Sequence, residues 1–396
     1  CMPTPHYDYI FTGAGCAAFS IVLRILQTPS LQQKRILLID KDAKQSNDRT
    51  WCFWEQSNGF FQNIVYRQYQ YIHFRSSSFS SKFNIAPYQY KMIRGIDFYN
   101  NALRQIQTQS NITFVQDTVV DITTHKDVAV VTTTNGVKYT ATYVFNSILF
   151  EHLFPKNRVT NIAKNQYHLL QHFKGWIIET DSDVFNTNEA TFMDFSIPQK
   201  HGASFVYVLP FTARKALVEY TLFTEELLSQ NEYDNGLQQY IHQHLGISHY
   251  SIVEEEFGII PMTNYPFEKG TSNVVHIGTV GGVTKASSGY TFQFIQKHSE
   301  TIVAALAKGL SPQIRTSFWK QRFQLYDATL LHVLATKSMP GDAVFAQLFA
   351  KNKPQRILAF LDNDTNFLEE LKIMSSVPTT IFMPAALRQI NSPYKI

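Results

Sequence analysis

Cysteine is scarce, with three residues among 396, at positions 1, 16 and 52. They form no CxxC pair and no repeated spacing, which argues against a disulfide framework or a zinc site and fits a reducing cytoplasm. Charged residues make up only 17 %, and a formal net charge of +4 is mild for this length. With no arginine-rich tract, nucleic acid is not an expected partner. No run of about 18 uncharged apolar residues occurs, so no segment reads as a membrane-spanning helix. Rings, by contrast, are abundant. Aromatics reach 14 %, with 31 Phe and 20 Tyr in a composition that is 44 % hydrophobic. Such a chain can bury a large core, or two interlocked lobes.

The stretch "YDYIFTGAGCAAF" predicts a strand over residues 7–12, a turn through Gly13 and Gly15, and a helix starting near Cys16. In this Gly-x-Gly-x-x-Ala pattern Gly13 permits the tight turn and Gly15 lets a pyrophosphate approach the backbone. Ala18 lets helix and strand pack closely. The helix N-terminus adds unpaired N–H groups and a positive dipole end for the anion. This use of the apolar segment, with no Lys or Arg before it, argues against a signal peptide. The next strand, "RILLID", ends in Asp40, about where an acid meets a ribose hydroxyl.

Residues 112–148 then read as a β-meander, with Asn135-Gly136 predicting a type I′ hairpin. A Rossmann start interrupted by a meander resembles the FAD fold of the glutathione-reductase and hydroxylase superfamily. The expected class is therefore α/β: that fold, a mixed β-sheet substrate lobe and C-terminal helices. The expected division is 1–150 and 258–310 for FAD, 151–257 for the lobe and 311–396 for the closing helices. In the late segment "VVHIGTVGG" the superfamily carries Gly-Asp, whose acid holds the ribityl chain. Here Gly278 is followed by Thr279, with Gly281 and Gly282 completing the turn.

Six stretches carry a sharper resemblance: "NDRTWCFWE", "QHFKGW", "MDF", "ALVEYT", "IPMT" and "GGVTKASSGYTFQFIQ". In this order, with the glycine motif, the chain from residue 7 to about residue 387 resembles the bacterial lycopene β-cyclase family. The resemblance implies closure of both ends of lycopene to β-carotene through γ-carotene, an isomerisation without net redox. It implies reduced FAD, NAD(P)H as reductant, and lycopene drawn from a lipid bilayer. It also implies a cytoplasmic protein held peripherally at the inner face of the cell membrane, in association with other carotenoid enzymes.

Ring closure starts when an acid protonates a terminal double bond, so the site needs a protonated carboxyl in an apolar place. Glu219 in "ALVEYT" is the expected catalytic acid, mid-strand among apolar residues; related cyclases carry an acidic pair here, where this chain has Glu219-Tyr220. Asp194 and Glu225 are the next donors in line. In "NDRTWCFWE" Arg49 is expected on the cofactor, with Trp51 and Trp54 toward the substrate channel. Phe195 and Tyr290 are expected to line that channel, and Arg94 to touch the cofactor. Glu254-Glu255-Glu256 reads as a charged strand entrance, and the histidines of 242–249 as solvated rather than metal-binding. A redox flavoenzyme, such as a hydroxylase or polyene reductase, and a non-catalytic carotenoid binder are the competing readings.

Overall fold

A computed structural model describes residues 4–153, 159–314 and 317–390; of the expected closing segment, residues 315, 316 and 391–396 lie outside these. The chain opens with β1 (His6–Thr12), α1 (Cys16–Leu26) and β2 (Ile36–Asp40). β1 and β2 pair in parallel, Thr12 opposite Ile39, because the helix between them carries the chain back along the sheet. Next come β3 (Thr50–Glu55), β4 (Arg67–Tyr69), β5 (Tyr71–Arg75), β6 (Ser80–Asn84) and β7 (Gln89–Arg94). α2 (Gly95–Gln107) and β8 (Ile112–Gln116) follow.

The meander is β9 (Val119–His125), β10 (Val128–Thr133) and β11 (Lys138–Asn146), antiparallel throughout. Its type I′ turn is not at Asn135-Gly136. Only Gly136 of that pair has positive φ, and Thr133 N–H bonds the Val137 carbonyl around a three-residue loop. The two-residue turn is instead Lys126-Asp127, φ 46° and 63°, between paired His125 and Val128. The strand register leaves two residues there, and right-handed strand twist then demands positive φ at both. Register has overruled composition.

The second lobe contains β12 (His168–Glu179), β13 (Glu189–Asp194), β14 (Ala203–Pro210), β15 (Lys215–Thr224), α3 (Gln230–Gln243) and β16 (Ser251–Thr263). β17 (Val274–His276) returns to the first sheet beside β11. Then come α4 (Phe292–Ala307), α5 (Phe318–Ala335), α6 (Gly341–Lys351), α7 (Pro354–Leu361), α8 (Phe367–Ser375) and α9 (Thr379–Ile390).

The first sheet runs β8-β2-β1-β11-β10-β9 with β17 also on β11; the second runs β16-β12-β15-β14-β13-β5-β6; β3, β7 and β4 form a third. β5 and β6 lie within the stretch read as cofactor domain, yet β5 pairs in parallel with β13 of the lobe sheet. The lobes are interlaced. One face of the lobe sheet, with Trp176, Val206 and Val218, packs on Tyr233, Leu237 and Tyr240 of α3. The opposite face, with Phe205, Tyr207 and Leu217, meets Trp54, Tyr90 and Phe192, plus Phe345 and Leu358 of the C-terminal helices. Side chains alternate along a strand, so Glu219 shares this second face with Leu217. Among the described residues no helix is long and apolar enough to cross a membrane.

Candidate active site

Two sites approach each other along the join between the lobes. At the first, Gly13 and Gly15 are glycines for different reasons. Gly13 has φ +87°, and a Cβ there would collide with Ser147 Oγ at the end of β11. Gly15 has φ −94°, open to any residue, and a Cβ there would meet nothing within 4 Å. That open space lies over the N-terminus of α1, which has no side-chain cap. Its unpaired N–H groups suit an anion, and a side chain at Gly15 would fill the space. The late glycine turn docks alongside, since a Cβ on Gly278 would lie 3.4 Å from Ala17 Cβ.

That turn closes through its backbone. Gly281 and Val283 N–H bond the Gly278 carbonyl, and Gly282 N–H bonds the Thr279 carbonyl. Gly278 and Gly282 take positive φ, and a Cβ on Gly281 would strike the His276 carbonyl. The turn therefore does not depend on the Thr279 side chain. Ala18 is fully buried, as close packing of α1 requires. Asp40 braces the glycine motif: one oxygen accepts the Ala14 N–H at 2.6 Å and the other the Asp42 N–H at 2.8 Å, with Lys44 beside it. Oδ2 meets both the Ala14 N–H and the Lys44 ammonium, so Oδ1, with only the Asp42 N–H, keeps a lone pair for a hydroxyl.

The second site is a pair of acids. Glu219 on β15 and Glu256 on β16 both stand opposite Gly175 of β12, one from each side. Thr221 donates to Glu219 Oε1 and Thr50 of β3 to Glu256 Oε2, each at 2.9 Å. Both residues are half-buried, and protein packs closely round their carboxyls. Burial, then the charge of Glu256 and a hydrogen bond to it, push the Glu219 carboxyl well above the usual range. Burial also raises Glu256. Cys52 of β3 and Tyr207 of β14 feel the Glu219 charge, and burial raises both above their ordinary values. Tyr207 OH lies 3.2 Å from Tyr290 OH, and the Tyr290 ring meets Trp54 edge-on at 4.8 Å. Phe192 lies parallel to Tyr290 at 6.3 Å and meets Tyr90 at 5.3 Å. A carboxyl whose acid form burial favours thus lies beside a cluster of rings. Residues 278–290 reach from the helix that caps the first site to Tyr290 beside the second.

A profile of the family described as lycopene cyclase protein matches residues 8–387. The chain belongs to the lycopene cyclase family. Chloroplastic neoxanthin synthase of Solanum tuberosum is 27 % identical over 159 residues, covering 37 % of this chain and 32 % of that protein. The Solanum lycopersicum neoxanthin synthase is 26 % identical over 178 residues, covering 42 % and 33 %. The chain thus spans about a third of the length of these curated relatives. Among solved structures, a geranylgeranyl bacteriochlorophyll reductase-like protein of Thermoplasma acidophilum superposes with TM-score 0.58 at 14 % identity, over 99 % of this chain and 97 % of that one. The p-nitrophenol 4-monooxygenase of Pseudomonas putida gives 0.63 at 12 %, over 92 % and 100 %. The HpxO protein of Klebsiella pneumoniae, crystallised with FAD and uric acid, gives 0.62 at 12 %, over 91 % and 96 %. At these identities the likeness is one of fold, the fold of FAD-dependent flavoproteins.

Within this family member, Glu256 is the residue the sequence reading missed. Strand alternation sends Glu255 to the far face, where it pairs with Lys174, and turns Glu256 inward. Glu256 is therefore not part of a charged entrance. The tryptophans also differ from expectation. Trp54 joins the ring wall, with its indole N–H on the Leu358 carbonyl. Trp51, three residues earlier, faces the other way and packs on Phe98, Tyr99 and Phe292 in the first lobe. Phe195 is buried among Phe74, Phe205 and Phe345 in the lobe core rather than against the acid pair.

Arg49, largely exposed, pairs with Asp48, and its charge reaches the Cys16 thiol at the head of α1. Arg94 is the N-cap residue of α2; Asp97 fills its guanidinium fork at 2.6 and 2.9 Å and Tyr66 covers its face. Arg94 is thus engaged within its own helix, and no part of the guanidinium fork faces the glycine cradle unpaired. The alternative donors are poorly placed. Asp194 is buried and accepts bonds from Ser196 and Tyr240, and Glu225 is exposed. Among the described residues no His, Cys, Asp or Glu cluster could hold a metal.

Proposed function

We propose that the protein is a lycopene β-cyclase that closes the ends of lycopene by acid initiation at Glu219, with no net oxidation or reduction. The observation that carries this reading is the carboxyl of Glu219, pushed well above the usual range by burial beside a cluster of rings, in a lycopene cyclase family member. Lycopene has no heteroatom, so apolar walls must hold it. Glu219 gives its proton to the terminal double bond. The next double bond attacks the resulting tertiary cation, and loss of a neighbouring proton leaves the ring. Ring faces stabilise the cation without trapping it. At about 2 kcal/mol for each desolvated face, two or three faces supply roughly 4–6 kcal/mol. That corresponds to about 10³–10⁴ in rate.

Gly15, the head of α1 and the 278–283 turn would hold FAD, with Arg49 near its phosphates and Asp40 near its ribose. When bound and reduced, FAD supplies negative charge beside the cation in a dry site, where such charge counts most. NAD(P)H is the proposed source of the electrons.

Incubation with lycopene, FAD and NADPH should yield β-carotene of unchanged mass with no stoichiometric NADPH oxidation. A changed product mass would turn the reading toward a flavin oxidoreductase acting on an isoprenoid, a class the fold neighbours include. Unaltered lycopene would point to a binder.

The substrate's solubility supports a second expectation, contact with a bilayer. α8 exposes Phe367, Leu371 and Met374, and α9 exposes Met383, Leu387 and Ile390, each at helical spacing. A face of this kind can lie in a lipid interface without spanning it. The protein is proposed to sit there peripherally, on the cytoplasmic side of the cell membrane, beside the other enzymes that handle carotenoids. Co-sedimentation with anionic liposomes is expected for the wild type, and Leu371→Glu with Leu387→Glu should release it. Equal sedimentation of the two proteins would remove these helices from the contact.

A further inference from the structure

We propose that the acid is a pair: Glu219 and Glu256 hold one proton between them across Gly175, and Glu256 is the second catalytic carboxyl. The inference rests on the cyclase reading for its chemistry, though not for the shared proton itself. Strands two positions apart in a sheet lie about 9.5 Å from each other. Side chains on β15 and β16 can meet only by leaning over whatever stands on β12 between them. The residue there is Gly175, and a Cβ on it would lie 2.9 Å from Glu256 Cγ and 3.1 Å from Glu256 Oε1. The absent side chain is what lets the carboxyls touch.

The outer oxygens are satisfied by Thr221 and Thr50. The inner oxygen of Glu256, Oε1, is buried and has no amine, amide or hydroxyl donor. The partner it faces is the Glu219 carboxyl, and only a proton there can satisfy it. Two adjacent carboxylates cannot both ionise cheaply, so near neutrality the pair keeps one proton. The groups facing it do not alter this. Cys52 of β3 and Tyr207 of β14 are neutral, as are Tyr290 and Tyr90 beyond them, and Glu254 of β16 adds a like charge.

The chemistry balances within the pair. Donation breaks one O–H bond and forms one C–H bond at the terminal double bond, leaving two carboxylates facing a carbocation. Their mutual repulsion is offset by the cation they have created. After ring closure one C–H bond beside the cation breaks, its electrons form the ring double bond, and the proton restores the shared O–H. One proton leaves and one returns, so the pair turns over unchanged.

The test uses FAD-loaded wild type, Glu256→Gln and Gly175→Ala, which keeps both acids but wedges them apart. For each, the pH dependence of cyclisation is measured, along with infrared titration of the protonated carboxyl band. In the wild type, activity should fall on the alkaline side as the shared proton is lost and on the acid side as the second carboxyl is protonated. Glu256→Gln should be slower by about 10²-fold, a loss on the scale of one acid–base group. Its acid limb should vanish. In both variants the carboxyl band should titrate at lower pH, because the neighbouring anion no longer raises it. A band midpoint in Glu256→Gln equal to that of the wild type overturns the shared proton, even if no lycopene is cyclised by any form. Failure of the wild type to cyclise, with the band shifted as expected, overturns only the cyclase reading.

Discussion

Glu219→Gln is expected to leave lycopene unchanged, with cyclisation down at least about 10³-fold, within what a positioned general acid supplies. The substitution keeps the shape of the side chain and the acceptor for Thr221, so the sheet has no reason to rearrange. FAD loading should stay normal, because the glycine cradle is built from other elements. No monocyclic product should accumulate, since both ends of the substrate meet the same disabled donor. Glu219→Asp withdraws the carboxyl by one methylene and should retain a trace of activity, as misplacement of about 1 Å costs roughly 10²-fold. In deuterated water the wild type should place deuterium on the ring carbon that received the proton. Near-normal turnover by Glu219→Gln would remove Glu219 as donor. The buried contacts of Asp194 and the exposure of Glu225 make neither a ready replacement.

Gly15→Val should strip the protein of flavin while sparing its fold. The backbone at Gly15 is in ordinary extended geometry and a Cβ there meets no protein atom, so folding carries little penalty. The valine would instead occupy the space over the α1 N-terminus. Overpacking costs about 1–3 kcal/mol, and a lost bond to a charged group about 1.5–3 kcal/mol. Together these weaken binding by about 10²–10⁴-fold. Gel filtration should return a folded, colourless protein. Retention of full flavin absorbance would show that the diphosphate lies elsewhere. Gly13→Val is the poorer test, because positive φ and the clash with Ser147 would unsettle the fold itself.

What the sequence discloses is what depends on near neighbours. The strand, glycine turn and helix of residues 6–26 follow from local spacing, and so does the strand that carries Glu219. Strand alternation alone suffices to part Trp51 from Trp54, since an odd offset along a strand reverses the face. Glu256 is different. Its inward turn could be guessed from alternation, but its meeting with Glu219 depends on both strands registering against Gly175 of a third. Nothing in "VEEEFG" encodes that register locally. The displaced type I′ turn has the same cause, a loop length set by strand pairing rather than by its residues. Arg94 reads as a free cation, yet Asp97, three residues on, pairs with it and competes with any ligand.

The return of β17 to β11 has a consequence for how the enzyme comes into being. Asn146 at the end of β11 bonds His276 at the end of β17, 130 residues later. Everything between them, most of the second lobe included, must emerge from the ribosome before the turn at 278–283 can reach α1. Loop-closure entropy makes such distant pairings slow. The nascent first sheet therefore waits with β11 lacking its last neighbour and its cradle half-walled, a form prone to mispairing. FAD held in that cradle, as proposed, would then also act as an assembly factor. It would draw the closed form out of that interval by mass action.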